Sequence, residues 1–390
     1  MSFNRRKFLK SSGIFTIPAI FPFSSAYAAD ANIKAWAPST PVIKFFGDGE
    51  MFEPLAYLNE LQNVQSAAAI EKDNYGSGGA VEALEKKFVE ITGKEKAIFM
   101  PSGTMANQLA ISVLSGENTK VFVQDTSHVY RDEADAAQSV FQKRLMPLAK
   151  DETFFTAQQL QDAIEKMPGE EVFKSGIGAV SIENPVRRTK GKMVPIEEIR
   201  KISYYCKKNN LKLHLDGARI YMASAWSGVS IKEYASYFDT IYISLYKYLG
   251  ASAGAMLCGE KGVIDKMPHL IKVHGGAMYG NWTNAAMALH RLEGIETRLQ
   301  TAIKKADQLF PELNKINGIK ITALQGGTNI YSLELAKEIN ARQLQEKLNK
   351  EYKIIIPFPR DNNTGPLTVN ETLLYQPLDY VVNAFKKSLI

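Results

Sequence analysis

Apolar residues recur at helical spacing over residues 80–92 (AVEALEKKFVEIT), and Gly93 follows as a natural left-handed stop. Beyond it come short apolar runs of strand length: residues 97–100 (AIFM), 121–123 (VFV), 179–182 (AVSI), 211–215 (LKLHL), 241–244 (IYIS) and 255–258 (AMLC). Helical patterns such as 105–114 and 195–209 lie between many of them. Strands alternating with helices predict an α/β fold whose mostly parallel sheet is covered by helices on both faces. In such sheets ligands gather outside the carboxyl ends of the strands, so chemistry is expected just after each run. From about residue 300 the pattern changes to longer helices and isolated strands, which predicts a small α+β C-terminal domain.

The first 28 residues follow another logic. Arg5 and Arg6 precede an apolar stretch over residues 13–23, and Ala26-Tyr27-Ala28 offers small residues for cleavage, the order of a twin-arginine export signal. Pro18 and Pro22 interrupt the stretch, which is too short to anchor in a bilayer. The reading is a leader over 1–28, a large domain with an N-terminal arm over 29–300 and the small domain over 301–390, with the mature protein exported, periplasmic or beyond, and not membrane-bound. The leader holds four basic residues and no acid, so its loss takes the formal charge from +6 to +2. So small a charge gives no case for a nucleic-acid partner. Cys206 and Cys258 are too few for a disulfide framework and are expected to be two buried thiols. The five histidines are scattered without metal-ligand spacing, so no metal is expected.

Three strand ends carry candidate chemistry. After residues 97–100 comes Pro101-Ser102-Gly103-Thr104, then a helix; free N–H groups and the positive end of the helix dipole meet there, which suits a phosphate, although Ser-Gly-Thr is also a common capping turn. After the 211–215 run, Asp216 and Arg219 are either a structural ion pair or an acid facing a pyridinium nitrogen, whose protonated form a carboxylate favours. After residues 241–244, Lys247 lies between Tyr246 and Tyr248, where burial depresses an amine's pKa and readies it to form a Schiff base.

A phosphate turn, then Asp216, then a lysine 31 residues later is the order of fold-type I pyridoxal 5'-phosphate (PLP) enzymes. Within that class the chain resembles the threonine aldolase and aromatic amino acid beta-eliminating lyase family. The resemblance is carried by Tyr75-Gly76-Ser77-Gly78-Gly79 with Leu84-Glu85, by Phe99 to Met105 with Asn107-Gln108, and by His128 and Glu133. It continues through Glu183-Asn184, His214 to Arg219, Lys247 to Gly250 and Gly275-Gly276-Ala277-Met278, over about 200 residues in all. It implies that Lys247 carries the cofactor, Asp216 pairs with the pyridine nitrogen and His128 stacks on the ring. Ser102, Gly103 and Thr104 would hold the phosphate, and Arg219 would sit near cofactor and substrate. It also implies a homodimer or homotetramer, with sites completed across an interface.

The chain departs from the family at the substrate end. Tyr246 stands where the family has serine, and Tyr279 where it has an arginine that reaches a neighbour's cofactor phosphate. Glu183-Asn184 continues as Pro185-Val186-Arg187-Arg188 rather than toward a histidine, and residues 367–370 (LTVN) lack the family's carboxylate-binding arginine. Either Arg360, Arg187 or Arg188 replaces that arginine, or the substrate is not a simple α-amino acid. The resemblance implies cleavage of the Cα–Cβ bond of a β-hydroxy-α-amino acid. The alternatives are another PLP reaction, such as β-elimination on an amino acid or amino sugar, and a non-catalytic binding protein of the same fold.

Overall fold

A computed structural model of the protein describes residues 41–172, 175–358 and 363–389. The export signal read in residues 1–28 and the candidate Arg360 lie outside the described residues.

In chain order the central strands are β1 (Ile43–Lys44), β2 (Lys96–Met100), β3 (Lys120–Gln124), β4 (Arg144–Leu148), β5 (Ile177–Glu183), β6 (Lys212–Asp216), β7 (Thr240–Ser244) and β8 (Ala255–Gly259). Seven of them form one sheet in the order β2-β8-β7-β6-β5-β3-β4. β8 runs antiparallel to both β2 and β7, and every other pair is parallel. The runs read as strands are therefore one mostly parallel sheet. Every residue of β3, β7 and β8 is buried, because helices cover both faces and leave no place for alternating polar side chains.

β4 has no counterpart among the predicted runs. Its sequence RLMPL carries Arg144 and Pro147 and is only partly buried, since an edge strand pairs on one side and tolerates proline.

Local signals set the helix ends. The helix Gly79–Thr92 stops at Gly93 with φ 66°, the left-handed cap expected there. The helix Gly103–Ser115 starts at Ser102, whose Oγ accepts the Met105 N–H at 3.2 Å.

The last strands are β9 (Ile319–Ala323), β10 (Ile330–Leu335), β11 (Ile354–Ile355) and β12 (Thr364–Thr368). They are not isolated: β10 pairs antiparallel with both β9 and β12, and β11 pairs parallel with β1. A second apolar core forms around them, and it includes Ile43 and Phe45 from the start of the described chain. The helix Ile295–Asn314 serves both cores, with Ile295 and Leu299 in the first and Ala302, Leu309 and Leu313 in the second. Cys206 and Cys258 are buried free thiols. Among the described residues no helix is long and apolar enough to cross a membrane.

Candidate active site

Register brings the chemistry together. Glu183, the last residue of β5, lies beside Asp216, the last of β6, and Asp216 lies beside Tyr242 of β7. Lys247 follows β7 within three residues, and the Ser102–Thr104 turn follows β2. All seven residues singled out from the sequence line one cavity of about 280 Å³ at these carboxyl ends.

At one wall, Ser102, Gly103 and Thr104 at the start of the helix Gly103–Ser115 line the cavity, and Ser102 caps the turn. Gly103 has to be glycine, because a Cβ there would lie 2.1 Å from the Tyr242 hydroxyl. Tyr242 thus closes the turn from the sheet side, a role its sequence position gave no sign of.

Lys247 is buried, and its amine is pushed down to about 8, chiefly by burial and then by the positive charge of Arg219. Its Nζ sits 5.5 Å from the centre of the half-exposed Tyr246 ring. Arg219 is held by a bidentate pair with Asp48, Nε to Oδ1 at 2.6 Å and Nη2 to Oδ2 at 3.0 Å. Asp48 is 171 residues away in the chain and no local pattern marks it.

Asp216 accepts from the Asn107 amide at 2.9 Å and from the Ala218 N–H at 3.1 Å. Asn107 also donates to Glu133 at 2.7 Å, and Glu133 meets His128 Nδ1 at 2.9 Å. That hydrogen bond raises the His128 pKa, against the opposing effect of burial. Asn107 stands four residues after Gly103 on the same helix, is fully buried, and supports Asp216 and Glu133 from behind the cavity lining. Glu183 accepts the backbone N–H of His128 at 2.7 Å and of Arg187 at 2.8 Å. Burial first, and the charge of Asp216 second, push its carboxyl up to about 7.

One oxygen or nitrogen from each of His128, Glu133 and Asp216 lies within 4.8 Å of the others, a convergence that the scattered histidines did not suggest. These atoms are committed to hydrogen bonds with one another and with Asn107, so a cation there would have to displace the Asn107 amide. We read them as a hydrogen-bonded network.

Two of the three replacement arginines offered from the sequence, Arg187 and Arg188, are not brought to the cavity. Arg187 and Arg188 both bind Asp132, at 3.3 Å and at 3.0 and 2.5 Å, and neither is among the lining residues. Asn370, in the segment without the family arginine, donates instead to the carbonyls of Lys44 and Phe46 at 2.9 and 3.1 Å. Tyr279 is exposed and packs edge-on against Tyr75, ring centres 5.5 Å apart.

A parallel sheet with one antiparallel strand, and a lysine and an acid at its carboxyl edge opposite a helix N-terminus, define an enzyme of fold type I. The chain belongs to the beta-eliminating lyase family, whose model matches residues 58–336. It is 32% identical over 274 residues to a low-specificity L-threonine aldolase from Candida albicans, covering 70% of this chain and 72% of that one. It is also 31% identical over 284 residues to an alanine racemase, TOXG, from Cochliobolus carbonum, covering 70% and 71%. Among solved structures it is similar to a putative L-allo-threonine aldolase from Listeria monocytogenes, with TM-score 0.73, 25% identity, and 93% of this chain and all of that one covered.

Proposed function

We propose that this protein is a PLP-dependent lyase that cleaves the Cα–Cβ bond of a β-hydroxy-α-amino acid to give glycine and an aldehyde. The observation that carries the reading is the meeting of Lys247, Asp216, His128 and the capped helix turn in one cavity, in a chain of this family. The donor set fits the cofactor. Lys247 is an amine depressed toward neutrality, Asp216 can only accept from a ring N–H when ionised, and the N–H groups at Gly103 and Thr104 suit a phosphate.

When bound, PLP supplies a protonated ring that draws off the electrons of a bond breaking at Cα. The chain's residues do the rest. Asp216 would favour a proton on the ring nitrogen, and His128, fixed by Glu133, would offer its flat imidazole to the ring. Arg219 adds positive charge beside Lys247 while Asp48 fixes its orientation. Glu183, poised near neutral pH, is the wall group suited to take a proton from the substrate hydroxyl and return it.

Purified mature protein is expected to bind PLP with a visible absorption band, to respond to L-threonine or L-allo-threonine by a shift of that band, and to release glycine and acetaldehyde. A bound cofactor whose band no β-hydroxy amino acid disturbs would sink the aldolase reading. A second reading, other PLP chemistry such as β-elimination, is favoured by Tyr246 at the reacting amine and by a racemase among the relatives; a 2-oxo acid and ammonia released from serine would select it. Export rests on the Arg5-Arg6 leader pattern and an oligomer on the exposed Tyr75, Met278 and Tyr279, so the same preparation is to be taken from the periplasm and sized by light scattering.

A further inference from the structure

Asn107 is the branching point of a buried chain that runs from Thr240 to two acids of the cavity lining, Glu133 and Asp216. Its side chain has two N–H donors and one acceptor, and all three are used. One N–H goes to Glu133 and the other to Asp216, while Oδ1 faces His214 Nε2 at 3.0 Å. The opposite amide orientation would set an oxygen against two carboxylates. His214 is fully buried, which pushes its pKa down to about 4, so the ring is neutral at ordinary pH. The Asn107 oxygen calls for a proton on Nε2, and Nδ1 lies 2.8 Å from the Thr240 hydroxyl. His214 thus donates to Asn107, and Asn107 to both acids.

Two carboxylates this close in a buried site repel, and unaided one of them takes up a proton. The titratable groups around Asp216 are His128, Glu183, Glu133, Tyr242 and His214, with Lys247 and Arg219 lining the same cavity. Asn107 is neutral and donates to both Glu133 and Asp216.

We infer that Asn107 is a positioning residue that keeps Asp216 and Glu133 ionised together, and that His214 fixes the orientation in which it does so. The inference rests on the PLP reading above. An ionised Asp216 keeps the bound ring protonated, and an ionised Glu133 keeps His128 in place. Without the amide, repulsion from Glu133 would favour a proton on Asp216, and PLP bound there would lose the carboxylate that favours its protonated ring, which would raise the pH midpoint of its visible band.

The test is the pH titration of the visible band of bound PLP in wild type, Asn107→Leu, His214→Leu and His214→Gln, with cofactor content measured for each. Asn107→Leu and His214→Leu are expected to raise the midpoint by one pH unit or more. His214→Gln, which keeps an N–H for Asn107, is expected to stay nearer the wild type. An unmoved midpoint in a cofactor-loaded Asn107→Leu overturns the inference. If that variant fails to fold, equal midpoints for the two His214 variants overturn it. Wild type without a band under any loading condition refutes the PLP reading itself, a distinct result, and the inference falls with it.

Discussion

Lys247→Ala is expected to abolish the visible band of the bound cofactor and to lower turnover of a β-hydroxy amino acid by about three orders of magnitude or more, since the nucleophile is removed outright. The effect should appear without loss of folding. The Lys247 amine is buried, and its pKa in the folded chain lies near 8, below the ordinary 10.5, because burial disfavours the charge and Arg219 adds to the penalty. At pH 7 the folded chain therefore holds a charge its surroundings disfavour, and alanine relieves that cost. The apo variant is expected to melt at or above the temperature of apo wild type. The sign can be checked by pH. Between about 8 and 10.5 the unfolded chain keeps a proton that the folded chain has shed, so apo wild type should gain stability relative to the variant as pH rises through that window. The same pKa governs loading. About one-tenth of the amine is neutral at pH 7, so PLP capture by apo wild type should quicken as pH rises and level off above 8. Stopped-flow absorbance checks this, and a rate flat from pH 6 to 9 would remove the depressed lysine from the account.

Much of this site could be read before any coordinates because its parts obey a positional rule. Ser102, Asp216 and Lys247 each lie just past a run of buried residues, and parallel strands align those ends whatever their order in the sheet. The six predicted runs appear as strands within two residues of their bounds at either end. β4 escaped because an edge strand with Arg144 and Pro147 shows neither continuous apolarity nor clean alternation. The C-terminal strands could be seen singly but not as a sheet, because pairing is settled by register across loops and by β1 from the other end of the chain. The supports of the site were hidden for the same reason. Asp48 meets Arg219, and Asn107 meets Asp216, across separations that no window of sequence spans. Arg187 and Arg188, two of the candidates to replace the family's missing arginine, are instead both bound by Asp132, a contact across more than fifty residues that the sequence does not show.

Glu371→Gln is expected to destabilise the protein by about 3–5 kcal/mol, the usual cost of stripping one partner from a buried ion pair. Glu371 begins the short 3-10 helix Glu371–Tyr375; its Oε2 accepts Arg298 Nε at 2.7 Å and its Oε1 accepts Arg291 Nη2. All three side chains are buried, so glutamine would keep the shape and remove the carboxylate that both guanidinium groups share, while Arg291 keeps Glu60 at 4.0 Å. Burial alone would raise the Glu371 pKa, but Arg291 and Arg298 outweigh it and hold the carboxyl below its ordinary 4.5. This stabilisation is present above 4.5 and is lost as pH falls through the lower folded value, so the stability gap between wild type and Glu371→Gln should narrow on acidification. Urea midpoints from pH 3 to 7 measure both effects, and a variant as stable as wild type at pH 7 would show that the pair is not needed. The consequence reaches the active site. Gly49 is wedged so tightly that a Cβ there would lie 3.2 Å from the Lys247 carbonyl and 3.7 Å from Glu371 Oε1. Its neighbour Asp48 carries the pair with Arg219, and Asn370, next to Glu371, holds the carbonyls of Lys44 and Phe46. Loosening Glu371 therefore frees the strap that orients Arg219, and catalysis in Glu371→Gln should fall further than cofactor content does.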